Sequence, residues 1–518
     1  MSEFTAGPQA WVGAWSESRA DLSPDRVGLV DATTGKRYTY ADLNRRADRA
    51  ARLLRRHGVR KSGRVAVVSR NRPEVVDLFF AAGKTGGVLA PLSHRLAPPE
   101  MSELLERVDP DLLVVEAGFL DDARAALVEA DNVTPPTLLA LGTGVSVPNE
   151  VVSYADVLPE DDRPVEKVAV APDDTHLLLH TGGSTGTPKE TVLTHRAVVW
   201  NSLNTIASWG LRDDDVTPLT FPMFHTGGWN VVTVPVWHMG GTVVISREVD
   251  PGKVLRTVER EAASVLVAVP AVLRLLTDHD RWTETDLSSL RLVKSGGGPC
   301  RQSVMETFWN RDVDLSQGYG LTECGPNNFA MPDGWPREKA DSVGKPAVHV
   351  DARVVEDGER VPQNSVGELE LRAPHAAAGY LDNPVETETT FGGGWVSTGD
   401  LARVDDDGYY HIVGRTKELF VSGGENVYPS EVEDAITAHP GVSEAVVVPV
   451  ASERWGQVGK AVVAGDTSLT PDELTEFLDN RLAGYKHPKH LAFVDELPTS
   501  GPSKIDREAV KDRFGKSG

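Results

Sequence analysis

The feature that most constrains the fold is an alternation of short apolar runs with helical segments over the first third of the chain. Residues 38–59 and 73–87 carry apolar side chains at helical spacing, whereas residues 64–71 and 110–116 have the pattern of short buried strands. A similar strand-like run recurs at residues 289–298. Strands that alternate with helices form parallel sheets covered by helices on both faces. The pattern therefore predicts an α/β body built on parallel sheets.

The pattern changes after about residue 344. Residues 349–373 and 401–415 are runs of short strands separated by turn residues, which is typical of antiparallel pairing. The remaining chain has a strand–helix–strand–helix pattern long enough for a small α+β domain. We therefore predict two domains, residues 1–415 and residues 416–518.

Composition excludes several classes of protein. Apolar residues make up 40% and charged residues 25%, as in chains that pack large cores. The 53 Lys and Arg against 76 Asp and Glu give a net charge of −23, which disfavours nucleic acid and anionic membranes as partners.

The two cysteines, Cys300 and Cys324, are too few for a disulfide framework or a structural zinc site. The most apolar stretch, residues 262–276, is too short to span a bilayer. No secretory signal is visible at the N-terminus. These observations predict a cytoplasmic protein with no membrane span.

The first chemical signal is the segment HTGGSTGTPKETVLTH at residues 180–195. Its glycines let the backbone approach an anion closely, its hydroxyls and amides donate hydrogen bonds, and Lys189 adds positive charge. It is not a Walker loop, because Thr187 and Pro188 separate Gly186 from Lys189. The alternative interpretation is a surface turn rich in Gly, Ser and Thr.

Six further motifs follow in a fixed order. They are FPMFHTGG (residues 221–228), SGGGP (295–299), QGYGLTE (317–323), STGD (397–400), GRTKELFVSGGENVYPSEVE (414–433) and a lone lysine, Lys504. With the phosphate loop, this series resembles the acyl- and aryl-CoA synthetases of the adenylate-forming enzyme superfamily. The resemblance spans nearly the whole chain. It implies a large N-terminal domain of two parallel-sheet α/β subdomains and a small β-rich subdomain, followed by a small mobile α+β C-terminal domain.

The resemblance implies a reaction in two steps. A carboxylate attacks the α-phosphate of ATP to give acyl-AMP and pyrophosphate, and the thiol of coenzyme A then displaces AMP. The first step brings two anions together, so its catalysis consists mostly of positioning and charge neutralisation. The implied ligands are ATP (or a supplied acyl-AMP), Mg²⁺ and coenzyme A.

The resemblance also implies which residues bind the nucleotide. Glu323 would bind Mg²⁺, Thr322 would contact the α-phosphate, Asp400 would accept the ribose hydroxyls, and Tyr319 would stack on adenine. The full implied nucleotide-binding set is Thr181, Gly182, Gly183, Ser184, Thr185, Gly186, Lys189, Gly296, Gly297, Gly298, Gly318, Tyr319, Gly320, Asp400, Ile412 and Arg415. Alternatives from the residues alone are a helix-start carboxylate for Glu323 and a core aromatic for Tyr319.

The acid end of the reaction is implied by fewer residues. His225 corresponds to the side chain that the family places between the acyl pocket and the α-phosphate, and Lys504 corresponds to the lysine that bridges the two reacting anions. Met223 and Trp229 are candidate walls of the acyl pocket. Alternative interpretations are a buried structural histidine, a solvated lysine and ordinary core side chains.

The second step uses the C-terminal domain, which in the family rotates about a hinge residue, here Lys417. The loop at Ser422, Gly423 and Gly424 would then line the tunnel for the pantetheine arm. Trp455, Tyr485 and His487 match positions that contact the CoA nucleotide in some aryl-CoA ligases. A solvated surface patch explains these three side chains equally well.

Three positions depart from the family pattern. Gly182 replaces a hydroxyl residue, Glu190 replaces the glycine after Lys189, and Ser503 replaces the glycine before Lys504. An anion about 7 Å from a phosphate charge costs roughly 2 kcal/mol at an effective dielectric near 20. Glu190 would therefore weaken ATP binding or pair with Lys189, unless its side chain begins the next strand and faces solvent.

The sequence thus predicts an enzyme, an AMP-forming acyl-CoA ligase that acts on a carboxylic acid. The first alternative is a member with weakened adenylation that mainly converts a supplied acyl-AMP to acyl-CoA, fed by an upstream adenylating enzyme. The second is a stand-alone adenylating enzyme that loads a carrier protein, and the third is a degenerate member that only binds ligand. The acid and the oligomeric state, monomer or homodimer, stay open.

Overall fold

The computed structural model describes residues 11–142, 151–181, 189–422, 425–452, 454–465, 469–479, 481–482, 484–499 and 505–515. The chain forms two compact units. The first unit comprises Met1–Ala340, Gly344–Asp351 and Leu371–Val396, and the second comprises Asp341–Val343, Ala352–Glu370 and Ser397–Gly518. The predicted domain boundary after Arg415 stays a prediction, because compactness alone does not reveal where a chain hinges.

The helices are α1 Val12–Leu22, α2 Tyr40–Arg56, α3 Pro73–Thr85, α4 Pro98–Val108, α5 Leu120–Glu129, α6 Tyr154–Val157, α7 His195–Trp209, α8 Thr233–Met239, α9 Pro251–Arg260, α10 Pro270–Thr277, α11 Gln302–Trp309, α12 Pro384–Phe391, α13 Pro429–Thr437, α14 Pro471–Asp479 and α15 Arg507–Phe514. A π-helical turn, Gly227–Val231, precedes α8. Within the described residues, none of the helices has the length and apolar character needed to cross a membrane.

The strands are β1 Val27–Asp31, β2 Lys36–Thr39, β3 Arg64–Val68, β4 Val88–Leu92, β5 Leu112–Glu116, β6 Thr137–Leu141, β7 Val152–Ser153, β8 Thr175–Thr181, β9 Lys189–Thr194, β10 Val216–Pro218, β11 Thr242–Ile245, β12 Val265–Ala268, β13 Leu292–Ser295, β14 Leu315–Gln317, β15 Phe329–Ala330, β16 Lys345–Pro346, β17 Asp351–Glu356, β18 Glu359–Arg360, β19 Val366–Arg372, β20 Val396–Val404, β21 Tyr410–Arg415, β22 Phe420–Ser422, β23 Glu425–Val427, β24 Val442–Ser452, β25 Gly456–Gly465 and β26 His490–Val494.

Helix α2 illustrates how the sequence sets the elements of the first unit. It begins two residues after the predicted start because Thr39 caps it: the Thr39 hydroxyl accepts from the Asp42 amide at 3.1 Å, and the Asp42 carboxylate accepts from the Thr39 amide at 2.9 Å. The helix ends at Arg56, just before Gly58, whose φ of 85° favours glycine. Its apolar face packs into the main core of the unit.

The largest sheet of the first unit has seven strands in the order β7-β6-β5-β3-β4-β8-β9. All neighbouring pairs are parallel except β8–β9, which is antiparallel. Successive residues of β3 enter different cores: Val65 and Val67 pack with α2 and α3, whereas Ala66 and Val68 pack with α4 and α5. The sheet is therefore covered on both faces, and the predicted α/β class is confirmed.

A smaller sheet of three parallel strands, β12-β13-β14, positions the glycine-rich motifs. The sheet and helices α9, α10 and α11 form one hydrophobic core, in which Val258, Leu273 and Phe308 are buried. Because the strands are parallel, their carboxyl ends share one edge, and the segments after Ser295 and Gln317 leave the sheet there. A further sheet has the order β10-β11-β1-β2.

The second unit contains two five-stranded sheets. One has the order β18-β17-β19-β20-β21, and the other has the order β23-β22-β25-β24 with β26 paired to β25. The β24–β25 hairpin buries Val447 and Val463 against Val432 and Ile436 of α13 and Leu474 of α14. This combination matches the α+β pattern predicted for the C-terminal part of the chain.

Candidate active site

The two ends of the predicted phosphate loop are adjacent in the structure. Thr181 is the last residue of β8, Lys189 is the first residue of β9, and the two residues are partners in the antiparallel ladder. The Thr181 hydroxyl lies 3.5 Å from the Lys189 carbonyl oxygen. Gly182, Gly183, Ser184, Thr185 and Gly186 lie outside the described residues, so their predicted roles stay predictions.

Lys189 lies in a cluster of polar side chains within the first unit. Its ammonium forms an ion pair with Glu386 of α12 and lies 5.1 Å from the centroid of the Tyr380 ring. The Tyr380 hydroxyl in turn donates to Glu323 Oε1 at 2.9 Å, and burial raises the pKa of that hydroxyl. Thus Tyr380 connects the phosphate-loop lysine to the predicted magnesium ligand.

Tyr380 and Glu386 are not among the residues predicted from the sequence. Both lie in the segment GYLDNPVETE at residues 379–388, where a glycine, an asparagine and a proline mark a turn into a helix. The Asn383 side chain accepts from the Glu386 amide at 3.2 Å and caps α12. The cap could have been predicted from the asparagine that precedes the proline, but the contact between Glu386 and Lys189 depends on the tertiary structure.

Two of the expectations for Glu190 are wrong, since its side chain neither pairs with Lys189 nor faces solvent, and whether it weakens ATP binding stays a prediction. Residue 190 does lie in the following strand, but its side chain is 2% exposed rather than solvent-facing. Lys189 pairs with Glu386 and not with Glu190, because successive side chains of a strand point to opposite faces. Both carboxylate oxygens of Glu190 are buried with no recorded partner among the described residues, and burial raises its pKa to about 7 despite Arg107.

The two glycine-rich motifs of the first unit lie side by side at the carboxyl edge of the three-stranded sheet. A Cβ atom at Gly296 would have open space, whereas one at Gly320 would lie 2.2 Å from the Pro326 carbonyl carbon. Tyr319 packs edge-on against Phe329 at 5.8 Å between ring centroids. There is thus open space beside Gly296. Contact with a nucleotide stays a prediction for Gly296, Gly297, Gly298, Gly318, Tyr319 and Gly320.

His225 is exposed and is not the buried residue that the alternative interpretation supposed. Its ring lies 4.5 Å from the Phe224 ring and 6.1 Å from the His180 ring, between centroids. Burial, followed by the proximity of His225, lowers the pKa of His180 to about 4. An exposed imidazole is accessible to ligand, so the predicted role of His225 is compatible with its place.

Met223 and Trp229 are both buried in the main core. Trp229 stacks on Phe79 with ring centroids 4.6 Å apart and donates from Nε1 to the Met223 carbonyl oxygen at 2.5 Å. The structure thus gives both side chains a packing role, and their role as walls of an acyl pocket stays a prediction. Thr322 is half-buried, immediately before Glu323.

In the second unit, Asp400 and Arg415 are partners across the β20–β21 ladder, and the Arg415 guanidinium lies 2.9 Å from Asp400 Oδ1. Ile412 faces Ala402 in the same ladder. Lys417 lies in an exposed turn directly after β21. The structure therefore brings together two of the residues that we predict for the nucleotide.

The residues predicted to contact coenzyme A differ in exposure. Trp455 and Tyr485 are 42% and 41% exposed, whereas Ser422 and His487 are buried. The His487 imidazole donates from Nε2 to the Leu482 carbonyl oxygen at 3.1 Å. Gly423, Gly424 and Lys504 lie outside the described residues, and all these assignments stay predictions.

Glu323 is a suitable ligand for a magnesium ion. Its second carboxylate oxygen has no recorded partner among the described residues, and Mg²⁺ in nucleotide sites is held by one or two carboxylates together with phosphate oxygens. Over the described part of the chain, no group of three or more His, Cys, Asp or Glu side chains is arranged to hold a metal ion. The arrangement therefore fits a metal that is bound together with its phosphate.

The family model described as AMP-binding enzyme matches residues 16–381, and the model described as AMP-binding enzyme C-terminal domain matches residues 431–504. The chain therefore belongs to the AMP-binding, adenylate-forming enzyme family, and it is an acid–thiol ligase of the AMP-forming acyl-CoA synthetase class. The resemblance stated from the motifs is confirmed.

Particular relatives are similar over almost their whole length. The feruloyl-CoA synthase of Amycolatopsis sp is 37% identical over 507 residues, which are 97% of this chain and 99% of the relative. ATP-bound MatB from Rhodopseudomonas palustris superposes with a TM-score of 0.86 at 29% identity, over 97% of this chain and 99% of that chain. The anthranilate CoA ligase AuaEII in complex with anthranoyl-AMP has a TM-score of 0.89 at 25% identity, over 98% and 97%.

Proposed function

We propose that this chain converts an aromatic carboxylic acid to its CoA thioester through an acyl-AMP intermediate, with ATP as the source of AMP. The observation that carries the proposal is the cluster of Lys189, Tyr380 and Glu323 in the first unit. It places a cation and a carboxylate suited to Mg²⁺ beside the predicted phosphate loop. The aromatic class is supported by the similarity to a feruloyl-CoA synthase and to an anthranilate CoA ligase.

In the proposed first step, Lys189 exchanges its contact with Glu386 for a phosphate oxygen of ATP. A charge-assisted hydrogen bond of this kind contributes about 1.5–3 kcal/mol. A magnesium ion, when bound, would neutralise charge on the phosphate oxygens, and Glu323 would hold it while the Tyr380 hydroxyl fixes the carboxylate. In the second unit, Asp400, oriented by Arg415, would accept the ribose hydroxyls.

The contacts of Lys189 and Glu190 favour a complete two-step reaction over a member with weakened adenylation. Lys189 is not paired with Glu190, and the Glu190 side chain lies on the opposite face of β9. With a pKa raised to about 7 by burial, the Glu190 carboxyl is partly neutral near neutral pH, which reduces its repulsion of phosphate. The departure from the family glycine therefore need not abolish ATP use.

The test is a panel of aromatic, aliphatic and dicarboxylic acids assayed with ATP, Mg²⁺ and coenzyme A, with the thioester detected by mass. A parallel panel supplies synthetic acyl-adenylates and coenzyme A without ATP. We expect thioester in both panels. Thioester only from adenylates would establish the weakened member, and adenylate formation without thioester on free coenzyme A would indicate a carrier-protein substrate. No product in either panel would contradict the proposal.

Lys189→Ala separates the two steps. We expect acid-dependent pyrophosphate exchange to fall about 10- to 100-fold, which corresponds to the loss of one charge-assisted hydrogen bond. Turnover of supplied acyl-AMP should fall much less, because that step needs no β- or γ-phosphate contact. Glu190→Gln, one residue further and on the opposite face, is the matched control and should keep exchange within a few-fold of the parent. An equal loss of both steps in Lys189→Ala would contradict the assigned role.

A further inference from the structure

Glu386 forms an ion pair with Lys189, the lysine at the end of the predicted phosphate loop. Lys189 is the first residue of β9, and its side chain is 12% exposed. Its ammonium has two recorded neighbours, the Glu386 carboxylate and the Tyr380 ring, whose centroid lies 5.1 Å away. The Glu386 side chain is 34% exposed, so the carboxylate is accessible while the cation is largely covered. The cation that the proposed function assigns to phosphate therefore already holds an anion of this chain.

Backbone pairing holds the segment before α12 beside the strand that begins with Lys189. Tyr380 forms an antiparallel bridge with Thr191 of β9. The Leu381 amide donates to the Glu190 carbonyl oxygen at 2.8 Å, and Glu190 directly follows Lys189 in the strand. These contacts do not involve the side chain of residue 386. They should therefore persist when that side chain is changed.

The position of Glu386 within α12 is set by its backbone. The Asn383 side chain accepts from the Glu386 amide at 3.2 Å and caps the helix. The Thr387 hydroxyl donates to the Asn383 carbonyl oxygen at 2.8 Å and accepts from the Tyr380 amide at 2.9 Å. Neither the cap nor the turn uses the Glu386 carboxylate, whose recorded partner is Lys189. Replacement of this carboxylate by an amide should therefore leave the fold intact.

A carboxylate and a phosphate compete for the same ammonium, because both are oxygen anions that accept charge-assisted hydrogen bonds from lysine. If Lys189 bound the β- or γ-phosphate while Glu386 stayed beside it, two anions would lie close together in a partly covered site. Their repulsion there is stronger than in water. Phosphate binding would therefore require the ammonium to leave Glu386, and departure of pyrophosphate would return it. In both directions one anion replaces another at a single cation.

We propose that Glu386 is a positioning residue that competes with the β- and γ-phosphates for the Lys189 ammonium, and thereby weakens the binding of ATP and promotes the release of pyrophosphate. The ligand class is a di- or triphosphate, whereas AMP lacks the phosphates that reach Lys189. This inference rests on the proposed function, since it concerns how that site binds and releases its phosphates. It involves no covalent step: the ammonium changes its hydrogen-bond acceptor, and no proton is transferred.

The experiment compares the wild-type protein with Glu386→Gln, which keeps the size of the side chain and removes its charge. Calorimetry measures the binding of ATP with Mg²⁺, of pyrophosphate with Mg²⁺, and of AMP. We expect the dissociation constants of ATP and pyrophosphate each to fall about three- to tenfold, somewhat more than for a fully exposed ion pair because Lys189 is largely covered. The dissociation constant of AMP should not change. In steady-state assays KM for ATP should fall, pyrophosphate should inhibit at lower concentrations, and turnover of supplied acyl-AMP should be unaltered.

Two controls distinguish competition at Lys189 from a general loss of negative charge. Glu388→Gln removes an exposed carboxylate from the same helix and should leave the binding of ATP, pyrophosphate and AMP unchanged. In a Lys189→Ala background, Glu386→Gln should no longer tighten ATP or pyrophosphate, because there is no ammonium for the carboxylate to release. A direct repulsion between Glu386 and the phosphates would instead persist in that background.

The outcomes separate this inference from the proposed function. Absence of thioester from every acid and adenylate contradicts the proposed function itself. Unchanged or weaker binding of ATP and pyrophosphate by Glu386→Gln, in an enzyme that forms thioester, overturns the role of Glu386. That role is also overturned if Glu388→Gln has the same effect, or if the effect of Glu386→Gln persists without Lys189. A merely structural residue would instead weaken the binding of ATP, pyrophosphate and AMP together.

Discussion

Two buried lysines of the first unit have opposite surroundings. Lys84 in α3 is 2% exposed, and its ammonium contacts Asp48 Oδ1 at 2.7 Å and Asn44 Oδ1 at 2.6 Å. Lys294 in β13 is 4% exposed and has a hydroxyl and a ring as its recorded neighbours. Burial lowers the pKa of both ammonium groups, and a carboxylate opposes each shift: Asp48 by charge and by a direct hydrogen bond at Lys84, and Asp314 by charge alone at Lys294. The Asp48 carboxylate offsets the cost of burying the Lys84 ammonium, whereas no carboxylate of the described residues forms an ion pair with Lys294.

The largest expected effect is on stability. Lys84→Met leaves Asp48 buried without its cation and should destabilise the first unit by about 3–5 kcal/mol. Lys294→Met replaces an unpaired charge by a side chain of similar volume and should be neutral or stabilise by about 1–3 kcal/mol. Urea unfolding followed by tryptophan fluorescence measures both. Equal destabilisation by the two substitutions would remove the distinction between them.

A double variant sharpens this comparison. Asp48→Asn in the Lys84→Met background replaces the orphaned carboxylate by a neutral amide, so part of the lost stability should return. If Asp48→Asn alone is as harmful as Lys84→Met, and the double variant recovers, the ion pair is the cause. Additive losses would instead indicate two independent packing defects.

Glu190 provides the anionic counterpart of Lys294. It is 2% exposed and faces His180 across the ladder, and the positive charge of Arg107 in α4 acts against the effect of burial on its pKa. Burial raises its pKa from 4.5 to about 7, so the folded state binds more protons than the unfolded state between these values. Stability is therefore expected to fall as pH rises from about 4.5 to 7, with no further loss from this group above that range.

Glu190→Gln should remove this dependence and stabilise the protein by up to about 3 kcal/mol above pH 7, where the buried carboxylate is ionised. The measurement is the free energy of unfolding between about pH 5 and 8 for both proteins. At the acid end of this range the two should nearly coincide, which is the internal control. A constant difference across the range would show that the carboxylate is not the titrating group.

The sequence predicted the repeating parts of the fold well. The helix at residues 38–59 is α2, the strand at 64–71 is β3, and the glycine motif at residues 295–299 follows β13, because hydrophobic periodicity and turn residues are local signals. The motif comparison also selected Asp400 and Arg415, which the structure pairs. These predictions succeeded because each depends on a short segment whose residue types alone indicate its structure or its chemistry.

The side-chain environments could not be predicted in the same way. Tyr380 meets Glu323 from 57 residues away, and no local pattern relates the two. The face to which Glu190 points depends on the register of β8 and β9, which contains an irregularity between Thr175 and Leu177. Lys294 did carry a signal, a lysine inside an apolar strand, but whether a carboxylate neutralises it depends on tertiary packing.

The smallest effect that we expect is on the rate of adenylation, and it tests whether the Tyr380 hydroxyl positions the Glu323 carboxylate. Tyr380→Phe keeps the ring beside Lys189 and removes only the hydroxyl that donates to Glu323 at 2.9 Å. One such hydrogen bond contributes about 1 kcal/mol, so adenylation should fall about fivefold and the Mg²⁺ concentration for half-maximal rate should rise by a similar factor. Turnover of supplied acyl-AMP should be unchanged. A drop in both reactions with an unaltered Mg²⁺ dependence would mean that Tyr380 supports the fold and does not orient Glu323. In that case Tyr380→Leu, which also removes the ring beside Lys189, should behave no differently from Tyr380→Phe.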